Sequence, residues 1–178
     1  MDSHAVRKRE EGRVHLDGFL SYPSAVYTVP YGVMVPKEVG NLLLPVPVSG
    51  SHIGFSTLRM EPCWMAMGQA AGIASALSID GKVKVQNIDL SRLQDKLVDQ
   101  KATLMYFKDV DYTSPHFRMV QYLGLRGYLP EWTARLQEPV DMATLTAWKK
   151  LSEKDLPGIE AGKTTRLVAF EMIYRKIK

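Results

Sequence analysis

The residues best able to do chemistry lie close together in the chain. His52 closes the run Ser49-Gly50-Ser51-His52, and Arg59 follows shortly after it. A histidine titrates near neutral pH and can shuttle a proton or contact a ligand. An arginine can stabilise a developing anion or hold a carboxylate. The alternatives, a hydrogen-bonded turn histidine and an Arg59–Glu61 salt bridge, stay open at this stage. Glu61, Pro62 and Cys63 then lead into a run of very small residues that carries Gly68, Gln69 and Gly72. Gly68 and Gly72 share one helix face. Each interior glycine costs about 1 kcal/mol against alanine, so two of them imply a close approach by a neighbouring backbone or a ligand. Tight helix–sheet packing would satisfy that without any ligand. The serine- and glycine-rich turn from Ser49 to Thr57 favours the ligand, because loops between buried elements usually carry function. The helix start at Pro62 and Cys63 offers free N–H groups to a pyrophosphate or an electron-rich ring edge. A large, flat, phosphate-bearing cofactor suits this combination. No G-x-G-x-x-G follows a strand anywhere in the chain, so the usual dinucleotide-binding start is absent.

Several elements are expected to hold these residues in place. Short β-type runs at Val26–Val29 and Gly32–Val35 end at Pro30 and Pro36. The continuously apolar Leu42–Val46 reads as a strand covered on both faces, limited by Pro45 and Pro47. Residues 1–24 read as irregular, with a short strand at Gly18–Ser21. Pro62 opens a helix expected to reach Ile79 and to stop at Asp80-Gly81. Asp89 caps a second helix carrying Leu90, Leu93, Leu97 and Val98 at helical spacing. After Tyr106 the pattern becomes purely helical. A helix spans His116–Arg126, another is capped by Asp141, and a last one starts at Thr164 or Thr165. The expected fold is therefore α/β (or α+β) over residues 1–105, followed by a small helical tail over 106–178.

Composition narrows the function classes. The chain has 178 residues, 46% hydrophobic and 24% charged, with a net charge of +4. These values are ordinary for a globular domain, and the basic residues are dispersed, which speaks against nucleic acid as a partner. Cys63 is the lone cysteine and the four histidines are scattered, so neither an intrachain disulfide nor a metal site is expected. No apolar run is long enough to cross a membrane. The compartment stays undetermined.

The sequence resembles the C-terminal half of the FAD-dependent oxidoreductase family, including xanthan lyase-like flavoproteins. The likeness runs through MDSH at Met1–His4 and VPYGVMVPKEVGNLLLPVPVSGSHIGFSTLRMEPCWMAMGQAAGIASAL at Val29–Leu77. It implies a two- or three-layer FAD-binding fold and FAD as cofactor. The activity implied is hydride transfer with a small-molecule substrate. By that resemblance Ser49, Gly50, Ser51 and His52 line the flavin, and the helix start at Glu61, Pro62 and Cys63 faces it. Gly68, Gln69 and Gly72 pack beneath, while His52 and Arg59 take catalytic roles. Met1 resembles an internal methionine of relatives, which implies a fragment whose partner is an N-terminal FAD-binding half. Residues Phe107–Leu151 more weakly resemble an S-layer-homology-like module, which implies a cell-wall polymer as a partner or a non-catalytic appendage.

Overall fold

The structure, a computed structural model, describes residues 25–152 and 156–178, together with the backbone of four short N-terminal strands. Those strands form two separate antiparallel ribbons. β1 (Asp2–Ser3) pairs with β4 (Leu20–Ser21), and β2 (Arg7–Glu10) pairs with β3 (Arg13–Leu16). Of the strand expected at Gly18–Ser21, Leu20 and Ser21 are β4, whereas Gly18 and Phe19 lie outside the described residues.

The layered α/β (or α+β) fold is not what the chain forms. The described residues are built from six α-helices without a layered sheet. Each expected central strand fails for a local reason. Gly32–Val35 lies between Pro30 and Pro36, and Tyr31–Met34 coils into a 3-10 turn starting from Pro30 at ψ 139°. Val26–Val29 has no regular structure. In Leu42–Val46 the Leu44 N–H donates to the Met34 carbonyl at 2.8 Å, and Ser49 N–H donates to Val33 at 2.8 Å. Pro45 and Pro47 have no N–H to offer a ladder. The segment is thus an extended strap tied to the 3-10 turn, and Leu42 and Val46 stay exposed.

The chain divides into two compact units, Met1–Leu93 and Gln94–Lys178. In the first, α1 (His52–Leu58) and α2 (Glu61–Gly81) follow one another across a two-residue break. Met34, Val48, Leu58, Met67 and Ala71 form its core, with Phe55, Cys63 and Trp64 packed against them. α2 runs past the expected stop. Gly81 stays helical, and Lys82 turns left-handed at φ 50°, donating its N–H to Ile79 while Val83 N–H returns to Ser78 at 3.0 Å. α3 (Leu90–Asp99) starts where Asp89 Oδ1 accepts the N–H of Ser91 at 2.8 Å.

In the second unit α4 (Phe117–Leu125), α5 (Met142–Ser152) and α6 (Arg166–Ile177) enclose a core of Val120, Leu123, Leu129, Val140, Trp148, Phe170 and Ile173. Gly127 ends α4 at φ 82°. Asp141 caps α5 by accepting Thr144 N–H at 2.8 Å, and the hydrogen bond from the Thr144 hydroxyl, followed by this backbone bond, holds its carboxyl below the usual range. Thr165 caps α6 through Val168 N–H. The buried face of α6 is Arg166, Ala169, Phe170 and Ile173, with Leu167, Tyr174 and Ile177 partly buried against the same core.

Candidate functional site

The Ser49–Thr57 run, read from sequence as a turn, is mostly helix. Ser51 is the N-cap of α1, with its Oγ accepting Gly54 N–H at 3.0 Å and its carbonyl accepting Phe55 N–H at 2.8 Å. Ser56 and Thr57 direct their hydroxyls back to the carbonyls of His52 and Gly54. Such back-bonding satisfies hydroxyls inside a short helix, so the polar composition is compatible with helical backbone. Gly50 lies at the tight entry, where an added Cβ would come 3.4 Å from Phe55 N.

His52 therefore occupies the first residue of α1, and Arg59 is its C-cap. Two helical turns separate them, about 10 Å along the axis and near one face. His52 is exposed and Arg59 is half-buried. Ser49, Gly50 and Ser51 are exposed beside His52.

The start of α2 differs from the anion-binding end expected of it. The N–H groups of Cys63 and Trp64 both donate to the Met60 carbonyl, at 3.0 and 3.2 Å, and Pro62 has none. Glu61 places an acidic side chain in the same turn. A diphosphate would meet few free donors and a like charge there. Cys63 is half-buried, with its Sγ 3.9 Å from the Thr57 carbonyl. Trp64 carries a buried indole N–H with no hydrogen-bond partner among the described residues. Nothing in the spacing of Trp64 along the sequence marks that unmet donor.

Further along α2, a Cβ built on Gly68 or Gly72 meets no atom within 4 Å. No atom of the described residues fills the space beside them, so packing against those residues does not account for the glycines. Gln69 is exposed on the same side. Opposite them, Met67, Ala71, Ala74 and Leu77 are buried. Among the described residues no group of three or more His, Cys, Asp or Glu could hold a metal ion. No helix among them is long and apolar enough to cross a membrane.

A family model described as FAD dependent oxidoreductase matches residues 1–97, more than half of the chain. The chain belongs to the FAD-dependent oxidoreductase family. FAD is accordingly the cofactor of this oxidoreductase, and a small molecule is its substrate class. No curated protein and no solved structure matches it. The family match covers all the candidate residues of α1 and α2 and ends within α3.

The second unit of this FAD-dependent oxidoreductase holds a cleft of about 260 Å³ that sequence reasoning missed. Tyr128, Glu131, Thr144, Trp148, Leu151 and Arg166 line it. Arg166 is buried, with its guanidinium 5.5 Å from the Trp148 ring and 6.0 Å from the Phe170 ring. Burial and the neighbouring Arg135 charge pull its pKa down, against the carboxylates of Asp141, Glu138 and Asp109. A helix-start arginine behind a capping threonine normally reads as surface, so nothing in the residue order marks this one as buried.

Proposed function

We propose that this chain supplies the flavin-ring side of a flavin-dependent oxidoreductase site, built from the α1 N-terminus and the exposed face of α2. The openness beside Gly68 and Gly72 carries this reading, since it leaves the α2 backbone approachable by a flat ring. The donor set also suits a ring better than a diphosphate. Ser49 and Ser51 carry hydroxyls matched to ring carbonyls and nitrogens, and the polar side chains of His52 and Gln69 lie on the same two helices. The Ser51 hydroxyl, which accepts from Gly54, keeps its own proton free to donate. Glu61, Pro62 and Cys63 border the ring edge, while the diphosphate and adenosine belong to a nucleotide-binding partner segment, the N-terminal FAD-binding half. Bound FAD supplies the hydride acceptor for an organic substrate. His52 then holds or removes the substrate proton, and Arg59 orients a substrate carboxylate or balances negative charge.

Adding FAD to the chain tests this directly. Backbone amide resonances of Ser49–His52 and Gly68–Gly72 are expected to shift on titration. Gly72→Leu should weaken binding at least about tenfold, because a bulky side chain would occupy the ring's place, whereas its Cβ meets no atom of the described residues within 4 Å. Absence of shifts at those amides, or equal binding by Gly72→Leu, sinks the proposal.

A second reading concerns the tail alone. The cleft beside Trp148 and Arg166 combines aromatic walls, the Thr144 hydroxyl and a buried cation. It suits an acidic cell-wall polymer as a ligand of an S-layer-homology-like module. Co-sedimentation with purified wall polysaccharide, reduced at least about tenfold by Ala147→Trp, which would fill the cleft, is the expected result. Equal sedimentation by both proteins would dismiss it.

A further inference from the structure

The exposed face of α2 is apolar and self-complementary, and we infer that two copies of this chain pair through it as antiparallel helices centred on Gly72. Met65 and Ile79 lie at equal distances on either side of Gly72 and point outward, 75% and 76% exposed. Gly68 and Ala76 sit symmetrically between them and the centre. All five positions fall within about 40° of the Gly72 direction at 100° per residue. A two-fold axis through Gly72 therefore sets Met65 of one copy against Ile79 of the other, and Gly72 against Gly72. Large side chains close the two ends of the seam, and small ones let the backbones approach at its middle.

The charges at the ends fit the same axis. Glu61, in the first turn of α2, falls opposite the C-terminal end of the second copy's α2, where Lys82 caps the helix and Lys84 follows it, against a single acid, Asp80; all four are exposed. The pairing occurs twice by symmetry, once at each end. The antiparallel arrangement also sets the positive end of each helix dipole near the negative end of its partner. A parallel pair would instead put Glu61 beside Glu61 and the lysines beside lysines. The charge pattern thus selects the antiparallel orientation. The seam from Met65 to Ile79 is about 21 Å long, shorter than a standard stable interface supplies, so the dimer is in the range of about 10–100 µM. Because Gly68 and Gly72 also lie in the proposed ring site, a second copy and a flavin are alternatives at this face, although the dimer itself does not depend on the flavin reading.

The test is made on the flavin-free chain. Sedimentation velocity across a concentration series is expected to show a 20.0 kDa monomer passing to a discrete dimer. The double reversal Lys82→Glu with Lys84→Glu should weaken the dimer about tenfold, and adding Glu61→Lys should restore it. Gly72→Cys should cross-link under oxidation, since the two Cα atoms meet at the axis. Ala66→Cys, exposed but about a third of a turn off the seam, should not. The native Cys63 is common to both variants and sets the background. A monomer throughout the series, or association indifferent to the charge reversals, or equal cross-linking from positions 66 and 72, each overturns the inference. Failure of FAD to bind leaves these readouts unaffected, so the two proposals fail separately.

Discussion

Trp148→Ala should lower the unfolding free energy of the second unit by about 4 kcal/mol, the range for deleting a buried large aromatic. Trp148 is 2% exposed on α5, and its ring centroid lies 4.9 Å from that of Phe170 on α6. Its indole N–H donates to the Tyr128 carbonyl at 2.9 Å, tying α5 to the turn after α4. The substitution opens a cavity, removes the surface on which the Arg166 guanidinium rests, and leaves a buried carbonyl with one partner fewer. Trp148→Phe keeps much of the packing while losing the N–H, and should cost about half as much. Urea unfolding followed by far-UV circular dichroism measures both. A loss below about 1.5 kcal/mol for the alanine variant would mean that the three helices do not depend on this contact.

A comparable effect is expected at Gln121, whose side chain is fully buried on α4. Its Oε1 accepts the N–H groups of Leu104 and Met105 at 2.8 and 2.7 Å, and its Nε2 donates to the Met105 carbonyl at 2.7 Å. The amide thus acts as a short strand partner for residues 104–105. Gln121→Leu preserves size but strands three backbone groups, and should cost about 3 kcal/mol. Gln121→Glu separates this from a volume effect. A carboxylate cannot donate to Met105, so burial favours its protonated form and raises its folded pKa above the unfolded value near 4.3. Below about pH 4 both states keep the proton and the deficit against the parent chain is small. Above it the unfolded state loses its proton first, and the deficit grows by about 1.4 kcal/mol per pH unit until the folded group ionises. A deficit independent of pH would rule out this account of the Gln121 bonds.

What the sequence disclosed about this fold was what neighbours along the chain decide. Asp89 caps α3 and Asp141 caps α5 through N–H groups two or three residues away, so these starts were readable without knowledge of the rest. The apolar run Leu42–Val46 misled because a strand requires partners, and its partners proved to be carbonyls of a 3-10 turn. α1 was hidden for the opposite reason. Gly54, Ser56 and Thr57 look like turn residues until the Ser56 and Thr57 hydroxyls are seen to bond within the helix, to the carbonyls of His52 and Gly54. In the candidate site, Gly68 and Gly72 were legible as residues demanding space, and only the structure could show that the described residues do not fill it. Likewise the capacity of the α2 start for a diphosphate depends on where the Cys63 and Trp64 N–H groups turn, which residue types do not state.

The position of Trp64 has an optical consequence. It sits in the first turn of α2, beside the proposed flavin edge, with its indole shielded from solvent at the nitrogen. Oxidised flavin absorbs in the near-ultraviolet and blue, overlapping tryptophan emission, so a flavin at this edge quenches Trp64 by energy transfer. In a chain with Trp132 and Trp148 replaced by phenylalanine, the remaining fluorescence becomes an internal meter of flavin occupancy.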